Sequence, residues 1–167
     1  MSERPPGDVR LRLVLKVPRY HPRWPQDYRI RPLEEGDARA THQILIDVFG
    51  DEEPDFDIWY PSRFGDGEYD PALNFVAEHR PTGDIHGLVW CWSSNFVKDL
   101  AVLPVARRRG LAQALMLTAL NAFVDRQAAS VDLKTNRHEN AAAVKLYESL
   151  GMREVAWDGN EPASTEG

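Results

Sequence analysis

The feature that most restricts what this chain can fold into is the succession of elements that begins at Phe96. A β-rich run, Phe96 to Leu103, stops at Pro104, and after Gly110 the apolar spacing changes from a period of two to the helical period. Leu111, Leu115, Thr118 and Ala122 form one stripe, which Met116, Leu120 and Phe123 widen, so the helix is expected to be buried over much of its circumference. Val131 to Thr135 reads as another strand. Ala143, Leu146, Tyr147 and Leu150 then line one face of a second helix, which Gly151 ends before a last run from Met152 to Trp157. Strand, helix, strand, helix, strand is the order of a parallel crossover unit, so the fold class is α/β, a mixed central sheet flanked by helices.

The upstream half supplies more of the same sheet. Val9, Leu11, Leu13, Leu15 and Val17 alternate with Arg10, Arg12, Val14 and Lys16, a strand pattern with one apolar face. Prolines 18, 22 and 25 then make a stiff connector. Tyr28 to Arg31 reads as a short strand. Asp37 is placed to cap a helix carrying Thr41, Ile44, Leu45 and Val48, which Gly50 stops. An acidic, aromatic segment follows, with a short helix over Phe56 to Phe64. Asn74 to His79, Ile85 to Trp92 and Phe96 to Leu103 form a three-strand antiparallel meander. At 167 residues the chain holds one core, and it divides into an N-terminal strand and connector (1–27), a main domain (28–157) and a loose polar tail (158–167), with residues 1–8 also loose.

Charge excludes one class of partner. With 26 acidic against 20 basic side chains and a formal charge of -6, the molecule repels a phosphate backbone, so no nucleic acid is expected. No apolar run approaches the roughly 20 residues of a membrane helix, and MSERPPGDVR lacks an apolar signal core, so the protein is expected to be cytoplasmic and away from membranes. Cys91 is the one cysteine and reads as a small buried apolar residue. His21, His42, His79, His86 and His138 show no metal spacing, and no metal is expected.

Against that acidic background, Arg107, Arg108, Arg109 and Gly110 stand between a strand and a helix start. Such a turn presents unpaired backbone N–H groups and the positive end of the helix dipole, while Gly110 and Ala112 let the backbone come close to a ligand. It reads as an anion cradle for a phosphate or pyrophosphate, or as a solvated basic turn.

At these residues the chain resembles a known family. Arg107-x-x-Gly110-x-Ala112, preceded by Leu100-Ala101-Val102 and Pro104, looks like the acetyl-CoA-binding signature of the GCN5-related N-acetyltransferases (GNAT). Asn140-x-x-Ala143-x-x-Leu146-Tyr147-x-x-x-Gly151-Met152 is similar to the family's other signature, with Met152 where Phe is usual. The resemblance covers roughly residues 28–157 and implies an acyltransferase that moves an acetyl group from acetyl-CoA to an amine. It implies that the backbone of Leu100, Ala101 and Val102 pairs with the pantetheine arm. The pyrophosphate would lie over the amides from Arg108 through Arg109, Gly110, Leu111 and Ala112 to Gln113, with Asn140 also touching the cofactor. Asn140 has an equally good reading as a helix N-cap.

Transfer to an amine needs a neutral nucleophile, stabilisation of an oxyanion and protonation of the departing thiolate. Tyr147 matches the family's tyrosine acid, and a phenol near pKa ~10 lies close enough to a thiol near ~8.5 for the proton to pass; its other reading is a core residue beside Leu146 and Leu150. A backbone amide near Leu100 to Val102 is the expected oxyanion donor. Asp99 is the chosen general base among Glu78, His79 and the acids of 51–57. Asp51, Glu52, Glu53, Asp55 and Asp57, interleaved with Phe56, Trp59 and Tyr60, suggest an acidic, aromatic wall suited to a small cationic amine; Trp90 and Trp92 read as core. A peptide or protein amine, or acyl-CoA binding without turnover, are the alternatives.

One departure stands out. Family members usually carry a further strand after the one following Gly151, and here a polar tail follows Trp157. Val9 to Val17 resembles the last strand of a preceding half in tandem, mycothiol-synthase-like members. It is expected to fill the vacant sheet position, in its own domain or across a homodimer.

Overall fold

The computed structural model describes residues 4–16 and 18–160. Val17, the end of the predicted first strand, lies outside the described residues, as do 1–3 and 161–167 of the predicted loose ends. The elements are β1 (Asp8–Val14), β2 (Tyr28–Pro32), α1 (Ala38–Phe49), α2 (Phe56–Phe64), β3 (Phe75–His79), β4 (Ile85–Trp92), β5 (Phe96–Val102), α3 (Leu111–Asp125), β6 (Ser130–Asn136), α4 (Ala141–Ser149) and β7 (Arg153–Val155). They build one seven-stranded sheet in the order β2-β3-β4-β5-β6-β1-β7.

Alternation along the central strands sorts the core onto two faces. Ala77, Val89, Cys91 and Val102 point to one side, where they pack with Leu111, Leu115 and Phe123 of α3 and Tyr147 of α4. Their sequence neighbours Val76, Leu88, Trp90 and Ala101 point to the other, against Ile44 and Leu45 of α1 and Trp59 of α2. The broad stripe of α3 is explained by this packing, since nine of its residues are buried.

The crossover from β5 through α3 to β6 is parallel, with Phe96 opposite Asp132 and Val97 opposite Leu133. The second crossover departs from the sequence reading, because β7 does not pair with β6. Strand β1 lies between them and is antiparallel to both. Leu11 faces Leu133 on one side and Glu154 on the other, with no exposed surface. The vacant position near the sheet end is thus occupied by the chain's own N-terminal strand. The reason is physical: Val9, Leu11 and Leu13 bury their apolar face in the same core cluster as Val131, Leu133 and Met152, and β6 and β7 each offer an edge for β1 to pair with there.

On the outer face of this half-sheet Arg10 and Arg12 both hold the buried Asp132, at 2.7 Å each. Asp37 is not a side-chain cap for α1. Its carboxylate is taken by Arg31 at 2.8 Å and by the Glu34 N–H at 2.9 Å, so that it closes a capping box on the three-residue 3-10 turn that precedes α1 and not on α1 itself.

Candidate functional site

Strands β5 and β6 run together for two residue pairs only. The cause lies on the other side of β5, where Trp90 faces Asp99 but Cys91 faces Val97, so that Lys98 is an extra, bulged residue. Past the bulge the described residues of β5 and β6 form no further pair, and the sheet opens. A cavity of about 370 Å³ occupies the opening, lined by Asp51, Glu52, Lys98, Asp99, Leu100, Lys134, Asn140 and Tyr147 among others. A larger apolar cavity, about 450 Å³, lies between the connector and α3 and contains none of the predicted site residues. The predicted site residues Asp99, Leu100, Asn140 and Tyr147 line the smaller one.

The register decides which backbone groups face the opening. Leu103 N–H donates to His86 C=O at 2.8 Å, toward β4. Alternation then turns the N–H and C=O of Ala101 the same way and those of Leu100 and Val102 into the gap. The Val102 carbonyl accepts from Arg107 Nε at 2.9 Å. The Leu100 amide and carbonyl and the Val102 amide are left as a short exposed strand edge, the template on which an extended chain adds.

At the end of β5 the chain makes a 3-10 turn, Pro104–Ala106, and enters α3 through two left-handed residues, Arg108 (φ 66) and Gly110 (φ 79). No side chain caps α3, so the N–H groups of Leu111, Ala112 and Gln113 have no partner inside the helix. A Cβ added at Gly110 would meet nothing within 4 Å, so the space over this amide nest is open. The three arginines are not equivalent. Arg107 is spent on the Val102 carbonyl, Arg109 reaches Asp27 at 3.4 Å with both side chains about half exposed, and Arg108 makes no ion pair with the described residues.

Asn140 stands at the N-cap of α4 but makes no side-chain cap bond. Its carboxamide donates weakly to Thr135 Oγ1 at 3.4 Å and faces the cavity, so the N-cap reading is corrected. The turn is instead held by Asn136, whose Oδ1 accepts from the N–H groups of His138 and Glu139. Tyr147 is both a core residue, 6% exposed, and part of the cavity wall. Burial, with a smaller contribution from the charge of Asp99, pushes its phenol well above the ordinary value. The near match between free phenol and thiol therefore widens, and Tyr147 is a firmly protonated hydrogen-bond donor. Cys91 is fully buried, and burial followed by the charge of Asp99 pushes its thiol up, so it is inert packing.

The acidic, aromatic wall is corrected in part. Asp51 and Glu52 line the cavity, whereas Trp59 is fully buried, its ring 6.2 Å from that of Trp90, and Phe56, Tyr60 and Phe64 pack around the same cluster. Asp55 caps α2 by accepting from the Asp57 N–H at 2.9 Å. Asp99 is not a free carboxylate: Arg63 of α2 donates to its Oδ2 at 2.7 Å and, with its other terminal nitrogen, to Glu52 Oε2 at 3.0 Å. Sequence reading missed Arg63. Its signal was available, because it is the lone cation between residues 51 and 64. Among the described residues no group of three or more His, Cys, Asp or Glu could hold a metal ion, and no helix is long and apolar enough to cross a membrane.

A mixed sheet parted at mid-strand beside an uncapped, glycine-led helix start defines the class: an α/β domain with an open cleft between two parallel strands. Residues 38–152 match the family model described as the acetyltransferase (GNAT) family, and the chain belongs to that family. Among solved structures, a GCN5-related N-acetyltransferase from Sphaerobacter thermophilus is similar at TM-score 0.78 and 25% identity, over 91% of this chain and 50% of that one. A tandem GNAT protein from the clavulanic acid biosynthesis pathway matches at 0.69 and 17%, over 89% and 50%. The diaminobutyrate acetyltransferase of Paenibacillus lautus matches at 0.59 and 20%, over 74% of each chain. The chain spans about half the length of the first of these structures. No curated protein matches the sequence.

Proposed function

We propose that this chain is an N-acetyltransferase unit that moves an acetyl group from acetyl-CoA to a primary amine of a small cationic molecule. The observation that carries the reading is the opening between β5 and β6, lined by Leu100 and Tyr147, with the Val102 amide and the open amide nest at Gly110 following along the chain. These residues fit the cosubstrate: a strand edge for the amide-bearing pantetheine arm, and N–H groups with Arg108 for the pyrophosphate. When bound, acetyl-CoA supplies an activated acetyl thioester.

The chain's own groups do the rest. The Leu100 N–H is the donor toward the acetyl carbonyl oxygen, and being held by the sheet it costs no reorganisation. Asn140 steadies the cosubstrate from α4. Tyr147, kept protonated by burial, donates to the sulfur as negative charge develops there. An amine arrives as an ammonium, and Asp99, with Oδ1 left over from its bond to Arg63, receives its proton directly or through water. The cavity of about 370 Å³ has room for a compact acceptor.

Isothermal titration with acetyl-CoA tests this, run beside Gly110→Glu. That variant places a carboxylate in the nest and a side chain at φ +79, so binding should weaken at least tenfold. Absence of acetyl-CoA binding by the unaltered protein overturns the proposal.

A further inference from the structure

We infer that Glu52 and Asp99, spaced by Arg63, form the anchor for the acceptor's ammonium group, and that Arg63 is the positioning residue that makes the anchor. The inference rests on the acetyl-transfer reading and specifies how its acceptor is chosen.

Glu52 comes from the loop between α1 and α2, and Asp99 from the bulged stretch of β5. Nothing local brings them together. Arg63 does, from the last turn of α2: the residue is 5% exposed, and its guanidinium lies over the rings of Trp90 at 5.2 Å and Trp59 at 5.8 Å. One terminal nitrogen holds Asp99 Oδ2 at 2.7 Å and the other holds Glu52 Oε2 at 3.0 Å. Two carboxylates beside a cavity repel each other, and a planar fork packed against two indoles sets both their distance and their orientation.

The charges do not cancel. Arg63 pairs with Glu52 and Asp99, and Asp51 lines the cavity beside them, so at this end three carboxylates are set against one guanidinium. Each bound carboxylate spends one oxygen on Arg63, and Asp99 Oδ1 and Glu52 Oε1 make no hydrogen bond with the described residues. Two acceptor oxygens on a partly dry wall match an ammonium, which carries three donors and no acceptor. Lys98 and Lys134 border the same cavity from β5 and β6, with the Lys134 ammonium 4.3 Å over the Trp157 ring. Positive charge is therefore welcome beside Glu52 and Asp99 and resisted beside Lys134 on β6, which orients the acceptor.

The test is acetyl-CoA-dependent release of CoA with 1,4-diaminobutane and with L-glutamate as acceptors, alongside the acetyl-CoA dissociation constant. The unaltered protein should prefer diaminobutane by at least tenfold in kcat/KM. Glu52→Gln, half-buried and conservative, should raise KM for diaminobutane about tenfold with a smaller effect on kcat and unchanged acetyl-CoA affinity. Arg63→Met should raise KM further and also lower kcat, because Asp99 loses its holder, and Arg63→Lys should recover only part, since one ammonium cannot serve both carboxylates in a fixed fork. Unchanged KM and unchanged amine preference in Glu52→Gln overturn the anchor. So does a protein that binds acetyl-CoA but favours glutamate or acetylates neither amine. Arg63→Met weakening acetyl-CoA binding in step with every kinetic constant would make Arg63 a merely structural residue. Failure of the transferase reading is distinguishable, because it appears earlier, as no acetyl-CoA binding at all.

Discussion

Shortening Leu11 to alanine tests whether β1 is a member of the sheet or an arm laid on it. Leu11 has no exposed surface and sits mid-strand, with Leu133 of β6 and Glu154 of β7 as its neighbours. Buried Leu→Ala changes cost about 2–5 kcal/mol, the spread reflecting how far the site collapses. A strand hydrogen-bonded on both edges collapses little, so the loss should stay clear of the low end of that range and is set at about 3–4 kcal/mol. That is a large part of a total of roughly 5–15 kcal/mol. For a domain of this size it lowers Tm by about 10 °C, and at an m value of roughly 2 kcal/mol/M it moves the urea midpoint down by about 1.5–2 M. The control is Val14→Ala, at the end of the same strand and 41% exposed, which should cost under about 0.5 kcal/mol. Urea unfolding followed by tryptophan fluorescence measures both. A Leu11→Ala loss below about 1 kcal/mol with an unchanged m value refutes the reasoning, since a strand paired on both sides at Leu11 cannot lose its core side chain so cheaply.

Two further outcomes follow from single side chains. Asp132→Asn should cost about 2 kcal/mol at pH 7, less than a fully buried pair because Arg10 and Arg12 are 19% exposed. Burial alone would raise the Asp132 carboxyl, but the bonds from Arg12 and Arg10 hold it below the ordinary value. Its contribution is thus complete above about pH 5 and lost as the pH falls through the depressed value. Denaturation curves at pH 7 and pH 3 should differ less for the variant than for the unaltered protein, and equal differences contradict the assignment. Tyr147→Phe should lower the transfer rate about 100-fold and leave acetyl-CoA affinity within twofold. An undiminished rate removes Tyr147 from the chemistry, and lost binding makes it a packing residue only.

Some of this molecule is written in runs of neighbouring residues. The helix over Phe56 to Phe64, the strand Ile85 to Trp92 and the stop at Gly110 were legible because each depends on local periodicity or on a single backbone conformation. Assignments that depended on a particular side-chain partner fared differently. Asp37 and Asn140 both sit where capping residues sit, yet Arg31 takes the first and the cavity takes the second. Phe56, Trp59 and Tyr60 alternate with acids as a binding wall would, but the helix they lie on turns them into the core. Arg63 could be noticed as a lone cation, and its partner on β5 could not be named.

The sequence by itself determined the α/β alternation, the meander, the anion-ready turn at Arg107 to Gly110 and the family, because hydrophobic period and turn chemistry act over a few residues. The tertiary structure alone decided that β1 separates β6 from β7, that the sheet opens after Val97, and that one guanidinium joins Glu52 to Asp99. Strand order, the place of a bulge and the sharing of a buried charge are settled by which distant surfaces exclude water together. That competition is among whole elements, and no window of the chain contains it.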